Sequence, residues 1–307
     1  MDPVPAPTPP SPDVPRYRVY ALRYAHRPGR RAEHFLSGDE HDGPMDMAYF
    51  VWAIVGDDRV VVVDTGFDEA DGTRRRRSII RPVADGLAAI GVDAAQVSDV
   101  VITHLHYDHM GGLGAFPAAR LHLQAAEMAY ATGPAMTHPA ISHAYTPGLL
   151  ANLVGDVFAG RVVFHDGDDE LFPGITLHLV GGHTAGMQVV RVATRIGWVV
   201  VASDASHFYE HYEQGRPYVI VDDLPAMLDG HRRCLRLASE PRLVVPGHDP
   251  RVLERFPTAV EGVEGIVSIE GTVSIEGTVS IEGTVSIEGT VSIEGTVSVE
   301  GTVSIDT

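Results

Sequence analysis

Short apolar runs that end on a histidine or an aspartate constrain this chain more than any other feature. Asp99-Val-Val-Ile-Thr103 reads as a buried strand, and His104-Leu105-His106-Tyr107-Asp108-His109 follows it at once. The arrangement returns three times. His183 follows Ile175–Val180, Asp204 follows a strand starting at Trp198, and His248 follows a strand starting at Arg242. Residues just past the C-terminal ends of buried strands lie on loops that can converge on one site.

The residue types say what such a site would do. Three histidines and an aspartate within six positions combine imidazole and carboxylate, the donor set that suits zinc and similar divalent ions. On a loop after a strand, the histidines at i and i+2 can point to one ion and the next two groups toward a second. Gly111 and Gly112 permit the tight turn that follows. A lone buried histidine is more often a satisfied polar residue than a ligand. Four candidate ligands in six residues are hard to explain that way.

Composition divides the rest into three zones. Residues 1–15 hold seven prolines and read as a disordered, polyproline-like arm. Residues 16–260 read as one mixed domain. Here Val51–Val55 and Val60–Asp64 form a hairpin around Gly56–Arg59. Arg81–Ile90, Gln124–Tyr130 and Leu224–Leu237 read as helices, with strands at Ile175–Val180, Met187–Val192, Trp198–Ala202 and Arg242–Pro246. Met45, Met47, Tyr49, Phe50 and Trp52 read as core. Residues 131–155 form an irregular insertion that caps the site, and Arg74-Arg75-Arg76-Arg77 reads as a solvated face.

Residues 261–307 are an acidic tail in which Thr-Val-Ser-Ile-Glu-Gly recurs from about Ile266 onward. Strict alternation would put apolar residues on one face of an extended chain and polar ones on the other. A β-solenoid or hairpin stack is one reading. The near-identity of the copies and the lack of caps favour a recent expansion with little structure.

Several classes fall away. The single cysteine, Cys234, excludes an internal disulfide, so a disulfide-framed scaffold is out. It falls in a helix, away from every motif, and reads as packing. No run of 18 uncharged apolar residues predicts a membrane helix, and no signal-peptide pattern opens the chain, so a cytoplasmic protein is expected. The net charge of −18 argues against gripping nucleic-acid phosphates. Nine of the acidic residues lie in the tail, which has no Lys or Arg, so the remainder stands at −9.

The motif His104-x-His106-x-Asp108-His109, followed in order by His183, Asp204 and His248, resembles the signature of the metallo-β-lactamase superfamily over roughly residues 17–256. Val63-Asp64-Thr65-Gly66 resembles that family's early strand-end motif. The resemblance implies a four-layer αββα sandwich with two divalent metal ions at one sheet edge. It implies that His104, His106 and His183 hold one ion, that Asp108, His109 and His248 hold the other, and that Asp204 bridges. Asp64 would support the ligands from behind. Zinc is the expected metal, with iron, manganese and cobalt compatible with the same ligands.

Within the superfamily the chain is most similar to N-acyl homoserine lactonases, through Ser203-Asp204-Ala205-Ser206, Gly247-His248-Asp249 and the gaps between the ligands. Those enzymes carry a tyrosine three residues after the bridging aspartate. Here that residue is His207, with Tyr209 and Tyr212 following. The resemblance implies that a metal-bridging hydroxide opens a lactone, with Asp108 or His207 relaying a proton to the departing oxygen. The expected partner is a small lactone, with neither nucleic acid nor membrane, and a homodimer is one option for the assembly. Two alternatives stand beside this reading. One is a glyoxalase-II-like thioesterase, which would need a basic, aromatic helical domain after Phe256. The other is a scaffold that associates through the repeats.

Overall fold

In the computed structural model, which describes residues 7–270 and, beyond them, the backbone of short strands in the repeat, the run Met47–Val55 is apolar because both of its faces are covered. Successive side chains in a strand point to opposite faces. Ala48, Phe50, Trp52 and Ile54 therefore enter one core cluster, while Met47, Tyr49, Val51 and Ala53 enter another. The first cluster lies between two sheets. The second lies between a sheet and its outer helices.

The strands are β1 (Arg18–Arg27), β2 (Met47–Val55), β3 (Val60–Val63), β4 (Ser78–Ile79), β5 (Asp99–Val101), β6 (Arg120–Gln124), β7 (Val162–His165), β8 (Asp169–Phe172), β9 (Ile175–Leu179), β10 (Gln188–Thr194), β11 (Gly197–Ser203), β12 (Val244–Pro246) and β13 (Ile266–Ser268). The larger sheet runs β13-β1-β2-β3-β5-β6-β7, with β4 paired to β1; the smaller runs β12-β11-β10-β9-β8. The helix Val83–Ala89 packs Leu87 into the outer core of the larger sheet. The helix Leu224–Leu237 lies on the smaller sheet and buries Cys234 in the shared core, which bears out the packing role expected for that cysteine. The result is the four-layer αββα sandwich.

Two zone boundaries shift. The described part of the proline-rich arm, residues 7–15, lies on the body rather than free of it. Proline-rich backbone has unused carbonyls, and donors meet them: the Arg16 guanidinium reaches the carbonyls of Pro10, Ser11 and Val14, and Trp198 Nε1 donates to Thr8 O at 3.0 Å. At the other end the domain does not stop at 260. The first repeat unit forms β13, and Ile266, Val267 and Ile269 are buried. β1 would otherwise present an open edge, and this unit closes it.

Beyond residue 270, where little structure was expected, short strands pair in parallel at an offset of three units. Val273 lies opposite Val291, Val279 opposite Val297, and Val285 opposite Val303. Near-identical units make every such register equivalent.

Candidate metal centre

Five strand ends build the site. Asp64 follows β3, the motif 104–109 follows β5, His183 follows β9, Asp204 follows β11 and His248 follows β12. Parallel pairing of β3 with β5, and of β11 with β12, puts these loops on one edge. The turn into His183 uses Gly182 at φ 87°, where a Cβ would also lie 2.4 Å from the Met227 backbone. At Gly247 a Cβ would lie 2.4 Å from an Asp204 carboxylate oxygen. Glycine at 247 is thus a condition for Asp204 to stand where it does.

All seven candidate ligands come together, and all are buried. His104, His106 and His183 form one group able to hold an ion; Asp108, His109 and His248 form another; His104, His109 and Asp204 form a third between them. His183 Nε2 faces His104 Nε2 at 3.2 Å and His106 Nδ1 at 3.0 Å. Asp204 Oδ2 lies 3.4 Å from His183 Nε2 and 3.2 Å from His248 Nε2, while Oδ1 lies 3.1 Å from His248 Nε2 and 3.5 Å from His109 Nε2 without making a hydrogen bond to either.

Protein groups alone do not satisfy this arrangement. His109 Nε2 and Asp204 Oδ1 are buried without a hydrogen-bond partner, a costly state that a cation would relieve. Burial pushes His104, His106 and His183 below the usual imidazole range, with neighbouring imidazoles adding to the shift at His104 and His106, so they are neutral donors. At His109 burial opposes the charge, yet Asp204, Asp64 and Asp108 outweigh it and raise the group. At Asp204 burial is outweighed by His248, His109 and His207, which hold the carboxyl well below its usual range. Neutral imidazoles at His104, His106 and His183 beside the ionised Asp204 are the donor types that suit a divalent cation.

Partners behind the ligands fix their orientation. Asp64 Oδ2 faces His109 Nδ1 at 2.8 Å, and the same carboxylate accepts from Thr103 N at 2.8 Å and Ser203 Oγ at 3.0 Å. Asp64 holds φ at 62°, a left-handed conformation unusual outside glycine. His183 Nδ1 is fixed by Ile220 O and His248 Nδ1 by Ala48 O, both at 2.9 Å. His207 places Nε2 2.9 Å from Asp204 Oδ2 and stacks on Tyr218 at 3.9 Å. Burial pushes its pKa down to about 3. A neutral imidazole beside that carboxylate must carry its proton on Nε2. Tyr209 and Tyr212 are buried elsewhere, bonded or packed away from Asp204.

Three features of the site lie outside the sequence-based expectations. Glu127 is buried and ties two ligand loops together, accepting from Leu105 N at 2.9 Å, Thr184 Oγ1 at 2.6 Å and Gly186 N at 3.1 Å. Its signal was present: it is the single acid in an otherwise uncharged stretch from Leu121 to Ala135. The Arg74–Arg77 run is not uniformly solvated. Arg75 and Arg77, with Arg27, line the cavity over the centre. The helix Glu69–Arg75 ends on Arg76 in a left-handed conformation, which turns the next residue inward. Finally, Met47 and Tyr49 line the cavity as well as the core, whereas Phe50 and Trp52 are core alone. The segment 131–155 caps the site as expected, through His143 and Ala144, although a regular helix begins within it at Pro147.

Comparison with known proteins agrees with the geometry. The family description "Metallo-beta-lactamase superfamily" matches residues 46–248, well over half of the chain. An N-acyl homoserine lactonase from Bacillus sp is 24% identical over 220 residues, covering 67% of this chain and 82% of the relative. A probable metallo-hydrolase of Mycobacterium tuberculosis is 29% identical over 205 residues, covering 58% of this chain and 63% of that one. A solved N-acyl homoserine lactone hydrolase, with N-hexanoyl-L-homoserine bound at its catalytic metal center, superimposes with a TM-score of 0.65 at 18% identity, over 81% of this chain and 99% of that one. The chain belongs to the metallo-β-lactamase superfamily. It is a metallo-hydrolase of that fold, with lactonases among its relatives.

Proposed function

We propose that this hydrolase opens lactone rings, N-acyl homoserine lactones among them, at a centre of two divalent metal ions with zinc as the first candidate. The observation that carries the reading is the pair of ligand triads on either side of Asp204. His104, His106 and His183 would hold one ion, Asp108, His109 and His248 the other, and Asp204 would serve both. Bound there, such ions polarise a carbonyl oxygen and acidify a water.

The side chains have separate tasks in this reading. Asp108 is the most exposed of the seven and lines the cavity, so it can take a proton and hand it to the ring oxygen that departs. His207 keeps its own proton on Asp204 and thereby positions that carboxylate. It shares a ligand-sized cluster with His183 and Asp204. A second cavity adjoins the first, sharing His106, His143, His183 and Ile220; Ile141, Val219 and Val221 add an apolar wall suited to an acyl chain.

The test is metal content and acid release on one purified sample. Substrates are a short- and a long-chain acyl homoserine lactone and γ-butyrolactone, with a thioester and a cephalosporin as controls. Two ions per chain and selective opening of the acylated lactones are expected. Turnover of the thioester alone would keep the centre and replace the substrate.

A further inference from the structure

We propose that Arg77 is a specificity residue, and that the substrate carries an oxyanion (a carboxylate or a phosphate) at a distance from the bond that breaks. The proposal rests on the ester-opening chemistry above and names the kind of molecule it acts on.

Three guanidinium groups line the cavity that also contains Asp108, His106 and His248. In a chain this acidic, three cations at one site are a local reversal of charge. Two of them are already matched. Arg27 pairs with Glu33 at 3.0 Å. Arg75 pairs with Asp71 at 3.3 Å, donates to the carbonyls of His143 and Tyr145, and lies 3.9 Å over the Tyr107 ring.

Arg77 differs. It forms no ion pair among the described residues. Its Nε is buried with no acceptor, and its Nη1 is held by Arg75 O at 2.6 Å. Burial opposes its charge, and Tyr49, Tyr107 and the more distant Asp108 outweigh that and raise the group, yet none of them is an ion-pair partner. Asp204 is committed to the imidazoles, and Asp108 lies 3.8 Å from His109 and 3.9 Å from His248.

A half-buried guanidinium that stays charged, has no ion-pair partner and keeps an unmet Nε–H is a donor set that an incoming oxyanion can satisfy. A planar fork with free donors fits a carboxylate or phosphate in a two-point contact. A neutral acyl lactone would leave those donors unmet.

The experiment compares three lactones that differ only at the far end of the acyl chain: a carboxylate, a phosphate and the methyl ester of the carboxylate. Turnover and calorimetric binding of the corresponding ring-opened acids are read on the full chain, on Arg77→Gln and on Arg77→Lys. Melting temperature and metal content serve as folding checks. For the native protein, kcat/KM should favour an anionic end by roughly tenfold or more. Arg77→Gln should bring that ratio toward one, and Arg77→Lys should retain part of it. The phosphate arm shows which oxyanion is preferred.

Equal kcat/KM for all three ends in the native protein overturns the proposal and leaves the lactonase reading standing. A preference that survives Arg77→Gln also overturns it. Should no lactone be opened, the lactonase reading falls. The difference in binding of the acids between native protein and Arg77→Gln then decides for or against the anion. Should Arg77→Gln not fold, the salt dependence of KM decides: a charged substrate weakened by salt alongside an unaffected methyl ester supports the proposal, and equal responses overturn it.

Discussion

Two buried clusters of histidine and aspartate stand in this domain, and they have opposite hydrogen-bond accounts. At the centre around Asp204, imidazole nitrogens face one another, while His109 Nε2 and Asp204 Oδ1 meet no partner. Around His122, on β6, every nitrogen is matched. His122 Nε2 lies 3.0 Å from Asp99 Oδ1, its Nδ1 lies 3.1 Å from His165 Nε2, and His165 Nδ1 lies 2.7 Å from Asp169 Oδ2. Arg120 completes Asp99. The same residue types thus make a closed relay in one place and an open ligand set in the other. Unmet imidazole and carboxylate atoms that converge within reach of one another, rather than histidine content, mark the place where a cation belongs; His231, with both ring nitrogens unmet, belongs to no such group among the described residues.

The largest effect should come from deleting one acid in each cluster. Asp204→Ala should cost turnover well beyond the roughly 10–100-fold that follows the loss of an outer partner, while Asp99→Ala should stay within about tenfold of native in the same lactone assay. Comparable losses from both would erase the contrast. Truncation tests it from outside. A chain ending at Glu270 should keep both clusters, bound metal and melting temperature. A chain ending at residue 260 also loses Ile266, Val267 and Ile269, and denaturant melts should show a loss on the order of 5 kcal/mol.

Smaller effects refine the contrast. Asp64→Asn keeps the shape but weakens the acceptor behind His109, so metal affinity or turnover should fall roughly 10–100-fold, read by competition with a chelator. The smallest effect is one of pH. Burial holds His122 below its ordinary value of 6.5, against the pull of Asp99. The unfolded chain then binds that proton more readily, so this contribution to stability is complete above pH 6.5 and declines as pH falls. His122→Gln should flatten the slope of melting temperature against pH below 6.5 without touching metal content.

Much of this was legible along the chain. A run such as Asp99–Val101 has no freedom to be anything but buried, and its end carries its ligands with it. β1 was harder to see: its alternation is broken by a register shift between Arg23 and Ala25, and three arginines interrupt its apolar pattern. Arg75 and Arg77 looked like solvent-facing charge because a run of like residues carries no periodicity. Only the left-handed turn at Arg76 separates them from their neighbours. Glu127 sat in a helix that was predicted. Its partners Leu105, Thr184 and Gly186 come from two other loops.

The sequence by itself determined the donor types, their order and their attachment to strand ends, because those are local properties of residue identity and hydrophobic pattern. It determined the charge balance and the repeat for the same reason. Only the tertiary structure decided which nitrogens are left unmet, which arginines turn inward, and where the repeat stops being tail and becomes sheet. Each of those depends on groups far apart in the chain meeting within about 3 Å, and a hydrogen bond or ion pair exists only at that range.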